Sequence, residues 1–203
     1  MSEPTAMIGR VLQASTTGFT IGCQQPLAPQ TPTTPPFGAL VRADYNDGSA
    51  TYGLVGNITV EDDPFVRQLV AAGVEDEEYI ADQRQRRQVP VAVEVLTVGI
   101  GRGLEVYHRL PAQPPGTLDR IYACNAAEIA RFTERHDWLR TVLAAATLPA
   151  DALLVAALRN AADARKATGQ AEGYLIAAGR ELARLLAADL TRLDGILRQL
   201  NDR

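Results

Sequence analysis

The first part of the chain alternates short apolar runs with turn residues, which is typical of short β-strands. Residues 8–14 and 19–23 are rich in β-branched and aromatic side chains and flank the turn sequence STTG, so they predict a hairpin. Residues 37–45 and 51–60 flank Asn46-Asp47-Gly48, whose residues tolerate positive φ, and predict a second hairpin. The chain therefore begins with antiparallel β-structure.

Further strands follow, and together they predict a closed barrel. The run at 89–100, VPVAVEVLTVGI, has few polar residues, as expected where both faces are covered or a barrel closes on itself. A short strand is predicted at 104–110 and another in LDRIYAC. Gly53 and Gly56 interrupt the fourth strand and indicate strong curvature. Six or seven short strands with frequent turns favour a small antiparallel barrel over a parallel sheet.

A helical insertion is predicted at about 63–88, inside the barrel sequence. Asp63 followed by Pro64 is a typical helix start, and a second helix begins with the acidic run EDEE. Its basic residues lie near the end, the order that complements the helix dipole. These residues, Arg84, Arg86 and Arg87, are the candidate partner-binding residues. The alternative is a solvated helix end.

From residue 125 onward the pattern is helical. Asn125 and Glu128 form a capping-box pair, and a first helix is predicted to about Ala146. A second helix follows Pro149, and a third spans about 171–200 with an apolar stripe of leucine and isoleucine. Three helices with short connections predict an antiparallel bundle. We expect an α+β protein with a barrel domain at 1–124 and a helical bundle at 125–203.

Composition and charge narrow the possible functions. The 203 residues are 46% apolar and 22% charged, as in a folded globular protein, and the net charge of −4 gives no general attraction to nucleic acid. Cys23 and Cys124 lie far apart and are predicted to be free thiols. The sequence shows no targeting pattern and no apolar run of about 20 residues, so a cytoplasmic protein without membrane contact is expected. The proline-rich segment from Gln24 to Pro36 is predicted to be an exposed loop.

The sequence contains none of the common catalytic or binding motifs. The P-loop pattern is absent, and the glycine run at 99–103, GIGRG, has the wrong spacing for a dinucleotide fingerprint and is predicted to be a loop. His108 and His136, even together with the two cysteines, show no metal-ligand spacing, and no serine lies in a nucleophile-elbow context. We therefore predict a protein that is not an enzyme, with no catalytic residue, metal, cofactor or small-molecule substrate.

The barrel region resembles a known family. Residues 7 to about 110 are similar to the HAS-barrel (HerA/ATP-synthase barrel) in the stretches IGRVLQASTTGFTIGC, PPFGALVRAD and TYGLVGNITV. The whole chain resembles stand-alone bacterial HAS-barrel proteins with a helical tail, here through RIYACNAAEIARF, DWLRTVL and AAGRELARLLAADLTRLDGILRQL. In the related ATPases a motor domain follows the barrel, whereas helices follow it here. The resemblance implies a role in docking or assembly.

Two functional hypotheses follow, from different classes. The first is a non-catalytic interaction module that docks on a protein partner, an ATPase ring being one example, or associates with its own copies. The second is an accessory protein that binds nucleic acid or nucleotide through Arg84, Arg86 and Arg87. Single-strand binders pair a basic groove with stacking aromatics, and aromatic residues make up 5% of this chain, so the composition disfavours the second hypothesis.

Overall fold

The computed structural model describes residues 7–26, 34–60, 62–73, 76–86 and 88–202. The strands in these ranges are β1 Met7–Ala14, β2 Gly18–Pro26, β3 Leu40–Asp44, β4 Ser49–Val60, β5 Gln88–Arg102, β6 Glu105–Tyr107 and β7 Arg120–Ala123. The α-helices are α1 Pro64–Ala71, α2 Glu77–Arg86, α3 Ala126–Phe132, α4 Trp138–Leu143, α5 Ala150–Asp163, α6 Ala171–Leu185 and α7 Leu190–Asn201, and a short 3₁₀ helix spans Lys166–Thr168.

Six of these strands close into an antiparallel barrel. The strand order is β2-β1-β7-β3-β4-β5, and the pairing of β5 with β2 closes the ring, while β6 extends β5 as a short hairpin beyond it. The second predicted hairpin turns at Gly48, which has a φ of 77°, and Ser49 N donates to Asp47 Oδ1 at 3.0 Å. The predicted α+β class, the closed barrel and the approximate strand positions are confirmed.

Two hydrophobic cores share one wall of the barrel. The lumen contains Val11, Phe19, Ile21, Val41, Val55, Val93, Val95 and Ile121, among others. A second core lies outside β3, β4 and β5, where Leu40, Tyr52, Leu54 and Val98 pack with helical residues that include Phe132, Trp138, Leu153 and Leu158. The helices thus cover one side of the barrel. The nearly apolar run at 89–100 matches both expected reasons in part: β5 closes the ring by pairing with β2, and both faces are covered from Val95 to Ile100, whereas Pro90 and Glu94 are exposed.

The glycines of β4 allow close packing on both sides of this wall. A Cβ at Gly53 would lie 2.3 Å from Val95 Cγ1, and a Cβ at Gly56 would lie 2.5 Å from Leu148 Cδ1, just before α5. The β4–β5 ladder shifts register at both glycines. The predicted local bending at Gly53 and Gly56 is therefore accompanied by close approach of neighbouring side chains.

The three-helix bundle is not confirmed, because five α-helices occupy residues 126–201 of the described chain. The predicted helix from 125 to about 146 is interrupted between α3 and α4. There, the side chains of His108 and Arg165 bind the carbonyl groups of Phe132 and Ala130, so these carbonyls are not used to continue the helix. The Asn125–Glu128 capping box at the start of α3 is confirmed.

The predicted helix over 171–200 is likewise two helices. α6 ends at Leu185, and α7 starts after Asp189, whose side chain accepts a hydrogen bond from Arg192 N at 3.0 Å. The predicted apolar stripe continues across both helices and packs in the second core, with Leu182, Leu186 and Ile196 buried. This stripe stabilises the chain itself and is not an open binding face.

The helical insertion is confirmed between β4 and β5. Asp63 caps α1 by accepting from Phe65 N at 2.8 Å, with Pro64 in the first turn. The prediction of a loop at 99–103 is wrong for four of the five residues. Residues 99–102 belong to β5, and the turn begins at Gly103, which has a φ of 60°. None of the helices in the described ranges combines the length and hydropathy that a bilayer-spanning segment requires.

Candidate interaction surface

The predicted partner-binding arginines lie at the limit of the described residues. α2 ends at Arg86, so Arg84 and Arg86 fall in its last turn. Their side chains and the whole of Arg87 lie outside the described part of the chain. Whether these residues contact a partner stays a prediction. The prediction of an exposed loop from Gln24 to Pro36 is wrong for part of that segment, because residues 24–26 belong to β2 and Thr34 and Pro35 are buried; residues 27–33 lie outside the described ranges.

A second basic site lies on the neighbouring strands β1 and β7. Arg10 of β1 and Arg120 of β7 are direct partners in the antiparallel ladder, and both are exposed. Like charges placed opposite each other on neighbouring strands destabilise a sheet. Among the described residues, no carboxylate lies within 4.0 Å of either guanidinium group. This arginine pair therefore costs stability within the isolated chain.

Leu118 lies beside this pair in an unusual backbone conformation. Its φ is 70°, a region that a branched apolar residue rarely adopts. Hydrogen bonds hold it there, because Leu118 N donates to Val11 O at 2.8 Å and Arg10 Nη1 donates to Leu118 O at 2.8 Å. The side chain nevertheless gains little from burial, since 62% of its surface is exposed. Residues held in such sparsely populated backbone conformations cluster at functional sites.

Together these residues form what we term the β1–β7 surface: Arg10, Leu12, Leu118 and Arg120. Leu12 is half-exposed and lies against Gly22 on the neighbouring strand. Two acids lie close to this pair but are engaged elsewhere: Asp119 Oδ2 accepts from Gly116 N at 2.7 Å, and Asp44, which the β3–β7 register places beside Arg120, pairs with Arg42. The surface combines positive charge with exposed leucine side chains, in a protein of net charge −4.

Arg42, in contrast, is neutralised within the chain. Its Nε lies 3.1 Å from Glu128 Oε1, and Asp44 contacts the same guanidinium group. Although Nε lacks a well-angled hydrogen bond, this ion-pair distance is short enough to balance the charge. Burial opposes the charged form, but the two carboxylates raise the pKa of Arg42 above its usual value. Arg42 thus joins the barrel to α3 and is not available for an external anion.

An open groove of about 870 Å³ lies between the barrel and the α4–α5 connection. Hydroxyl groups and small side chains dominate its lining, which includes Ser15, Thr17, Thr97, Thr141, Ala145 and Thr147. Its charged side chain is Glu94, which accepts a hydrogen bond from Asn57 Nδ2 at 3.3 Å. Charged groups do not converge in this groove, and it therefore lacks the acid–base pair that catalysis would use.

Arg165 is a buried charged residue of the helical layer, and its partners are structural. Arg165 donates to Ala161 O at 2.8 Å, to Ala130 O at 2.7 Å and to Thr133 Oγ1 at 2.8 Å. Its guanidinium group also lies 4.1 Å from the ring centroid of Tyr174. Burial lowers the pKa of Arg165 from its usual value, which for arginine still leaves it charged at neutral pH. Arg165 therefore caps the C-terminal carbonyls of α3 and α5.

The two histidines also serve packing. Nε2 of His108 lies 2.9 Å from Phe132 O, and the His108 ring meets the Phe132 ring edge-on. His136 stacks on Tyr174 with ring centroids 5.3 Å apart. Burial lowers the pKa of both imidazoles, so they are neutral at pH 7. The described residues contain no group of three or more His, Cys, Asp or Glu side chains placed to hold a metal ion.

Comparison with known proteins does not assign a family. No protein-family model matches the chain, and a search of curated proteins returns no significant match. The β1–β7 surface could not be predicted from sequence patterns. Its two arginines are 110 positions apart, and they become neighbours only because the pairing of β1 with β7 places Arg10 opposite Arg120. The functional class rests on the geometry described above.

Proposed function

We propose that this protein is a non-catalytic interaction module that docks on a protein partner through the β1–β7 surface. The observation that carries the proposal is the strained, exposed Leu118 beside two arginines that are unbalanced within the described chain. Such a surface loses stability in the isolated protein. A partner that covers the leucines and supplies carboxylates would recover that stability, since arginine and large apolar side chains dominate the binding energy of interfaces.

The proposal that the chain is not an enzyme is supported by how its ionisable groups are used. Arg165, His108 and Arg42 bind helix carbonyls or carboxylates of the fold, and burial raises the pKa of the Cys124 thiol, which keeps it protonated and unreactive. We also propose that the barrel is of the HAS type. The closed antiparallel barrel supports the resemblance seen in the sequence, and that resemblance implies docking or assembly.

The proposal can be tested with a substitution that keeps the backbone conformation. Leu118→Asn removes the apolar side chain at a position where asparagine tolerates positive φ, so the fold should be unharmed or slightly stabilised. We expect the variant to lose binding to any protein captured by the wild type, as measured by quantitative affinity capture followed by titration of the captured protein. The matched control is Leu104→Asn, since Leu104 is also an exposed leucine but lies at the β5–β6 turn.

Two outcomes would count against the proposal. If Leu118→Asn and Leu104→Asn retain the same partners with the same affinity, the β1–β7 surface does not dock proteins. The second outcome is that the wild type retards single-stranded or duplex DNA in a gel-shift assay, with an affinity that falls steeply as salt rises. If the double variant Arg10→Gln with Arg120→Gln then loses this shift, the arginine pair binds phosphates and the partner is nucleic acid. Aromatic residues make up 5% of the chain, and single-strand binders pair a basic groove with stacking aromatics, so the composition favours protein.

A further inference from the structure

We infer that His136 is an acid-sensitive latch: its neutral imidazole holds the start of α6 on the helical layer, and protonation releases that contact. His136 lies in the turn between α3 and α4, and its ring stacks on Tyr174 of α6. The ring centroids are 5.3 Å apart and the planes are inclined by 23°. The contact is separate from the β1–β7 surface, so the latch and the docking function can be tested independently.

The imidazole of His136 lacks an acceptor for the protons of its charged form. Its Nε2 is buried, and no hydrogen-bond partner for this atom exists within the described part of the chain. Both nitrogens of a charged imidazole carry a proton, so Nε2 would then be a buried donor without an acceptor. The same burial lowers the pKa of His136 from its ordinary value. Protonation therefore disfavours the closed position of the ring.

A second cation already occupies the ring on which His136 stacks. The guanidinium group of Arg165 lies 4.1 Å from the ring centroid of Tyr174. Its hydrogen bonds go to two carbonyl oxygens and a threonine hydroxyl, which leave its positive charge without a carboxylate at hydrogen-bond distance. A protonated His136 would place another positive charge against the same aromatic side chain, and like charges in a partly buried site repel each other.

Two acids face His136, but each is already paired with an arginine. Glu181 of α6 attracts the imidazolium, and its Oε2 accepts a hydrogen bond from Arg184 Nε at 2.8 Å. Asp137 attracts it as well, and its Oδ2 lies 2.7 Å from Arg135 Nη2. The charge of each carboxylate is thus shared with a partner, which limits the compensation that either can offer to His136.

His108, the other titratable group near His136, provides an internal comparison. Its Nε2 lies 2.9 Å from Phe132 O, and its Nδ1 lies 3.8 Å from Asp137 Oδ2. Both nitrogens of His108 therefore have an oxygen nearby that can accept a proton when the ring is charged. Protonation of His108 is accommodated where it stands, whereas protonation of His136 is not. This difference makes His136 the latch residue.

The position of α6 allows it to open without the barrel. α6 begins shortly after Gly169, which has a φ of 68°, and it packs mainly against α5 and α7. α7 has its own anchor, because Arg192 Nε donates to Asp151 Oδ1 at 2.8 Å. Local units of this kind open with a smaller free energy than the whole fold. Release of the latch would expose the buried face of α6, which begins at Tyr174.

Native-state hydrogen exchange, resolved by mass spectrometry at about pH 7.5 and 5.5, tests the latch. Rates are corrected for the pH dependence of intrinsic amide exchange. An imidazole with the ordinary pKa of about 6.5 is about nine-tenths protonated at pH 5.5, so opening should become up to about tenfold more favourable there. We expect the protection of residues 174–182 to fall by about three- to tenfold, while residues 190–201 and β5 keep theirs.

Three variants distinguish the latch from a general effect of acid. His136→Phe keeps a ring that can stack on Tyr174 but cannot take a proton, and His136→Gln removes the titrating group without a ring; both should abolish the pH effect on α6. His108→Gln should retain it, and circular dichroism checks that each variant is folded. The inference is overturned if wild-type α6 keeps its protection at pH 5.5, or if both His136 variants lose it as the wild type does. Equal loss in the barrel would also overturn it, because the whole fold would then open.

Discussion

Arg165 is the side chain whose removal should most clearly destabilise the helical layer. It is 7% exposed and is the hydrogen-bond donor for Ala130 O of α3 and Ala161 O of α5. In Arg165→Met, both buried carbonyls lose that donor, at about 1–1.5 kcal/mol each, and the cation–π contact with Tyr174 contributes about 0.5–1 kcal/mol more. The free energy of unfolding should fall by about 3 kcal/mol, a large part of the roughly 5–15 kcal/mol typical of a folded protein.

The substitution Arg165→Lys separates the charge from the geometry. A lysine keeps the positive charge but presents a single ammonium group, which cannot reproduce the planar arrangement of donors to two different helices. We expect Arg165→Lys to lose about 1–2 kcal/mol, between the wild type and Arg165→Met. The control is Arg198→Met on α7. Arg198 is exposed and forms an ion pair with Asp194, so its removal should cost less than about 0.5 kcal/mol.

The measurement is urea unfolding followed by fluorescence and by circular dichroism. The chain has one tryptophan, Trp138, which is fully buried on α4 and reports directly on the helical layer. At a slope of about 2–3 kcal/mol per molar urea, a loss of 3 kcal/mol lowers the midpoint by about 1–1.5 M. The reasoning is refuted if Arg165→Met shifts the midpoint no more than Arg198→Met, or if the lysine variant is as unstable as the methionine variant.

Three further predictions concern other parts of the fold. Gly38→Ala should destabilise the protein by at least about 2 kcal/mol, because Gly38 has a φ of 79° and an added Cβ would lie 2.5 Å from a helical side chain. Gly195→Ala, in the open interior of α7, should instead stabilise the protein by about 0.5–1 kcal/mol, and equal effects of the two substitutions in urea unfolding would contradict this. Because burial lowers the pKa of His108 and His136, the stability that depends on their neutral rings is fully present above about pH 6.5 and is lost as pH falls through the lower pKa values of the folded state. The free energy of unfolding should therefore change less between about pH 7.5 and 5.5 in a variant with glutamine at both positions than in the wild type, and an equal change would argue against neutral imidazoles. Burial raises the pKa of Cys124, which is only partly exposed at the edge of a groove, so a thiol reagent at about pH 8 should label Cys124 in the native protein much more slowly than in the urea-unfolded chain; equal labelling rates would argue against the raised pKa.

The sequence was sufficient to predict the barrel because its signals are local. Strand residues alternate over a few positions, and turns such as Asn46-Asp47-Gly48 identify the hairpins without knowledge of distant contacts. The same holds for the capping box of α3 and the start of α1. The helix breaks were missed because their causes are tertiary. α3 ends where Arg165 and His108 bind its carbonyls, and both residues are more than 20 positions away in the chain.

The candidate surface was missed for a related reason. Nothing in the local sequence around Arg10 or Arg120 indicates that the two side chains are neighbours, because that depends on the pairing of β1 with β7. The positive φ of Leu118 also has no local signal, since leucine is a poor predictor of that conformation and the hydrogen bonds to Val11 and Arg10 impose it. Register and strain became visible only in the folded chain.

The shared wall of the barrel has a consequence for biosynthesis. The strand that completes the ring, β7, ends at Ala123, whereas the helices that cover the outer side of β3, β4 and β5 are encoded after it. During translation, a closed barrel would therefore display Leu40, Tyr52, Leu54 and Val98 to solvent or to chaperones until the later helices leave the ribosome. A chain truncated near residue 124 would keep that apolar wall uncovered permanently, and such a fragment should aggregate rather than remain in solution.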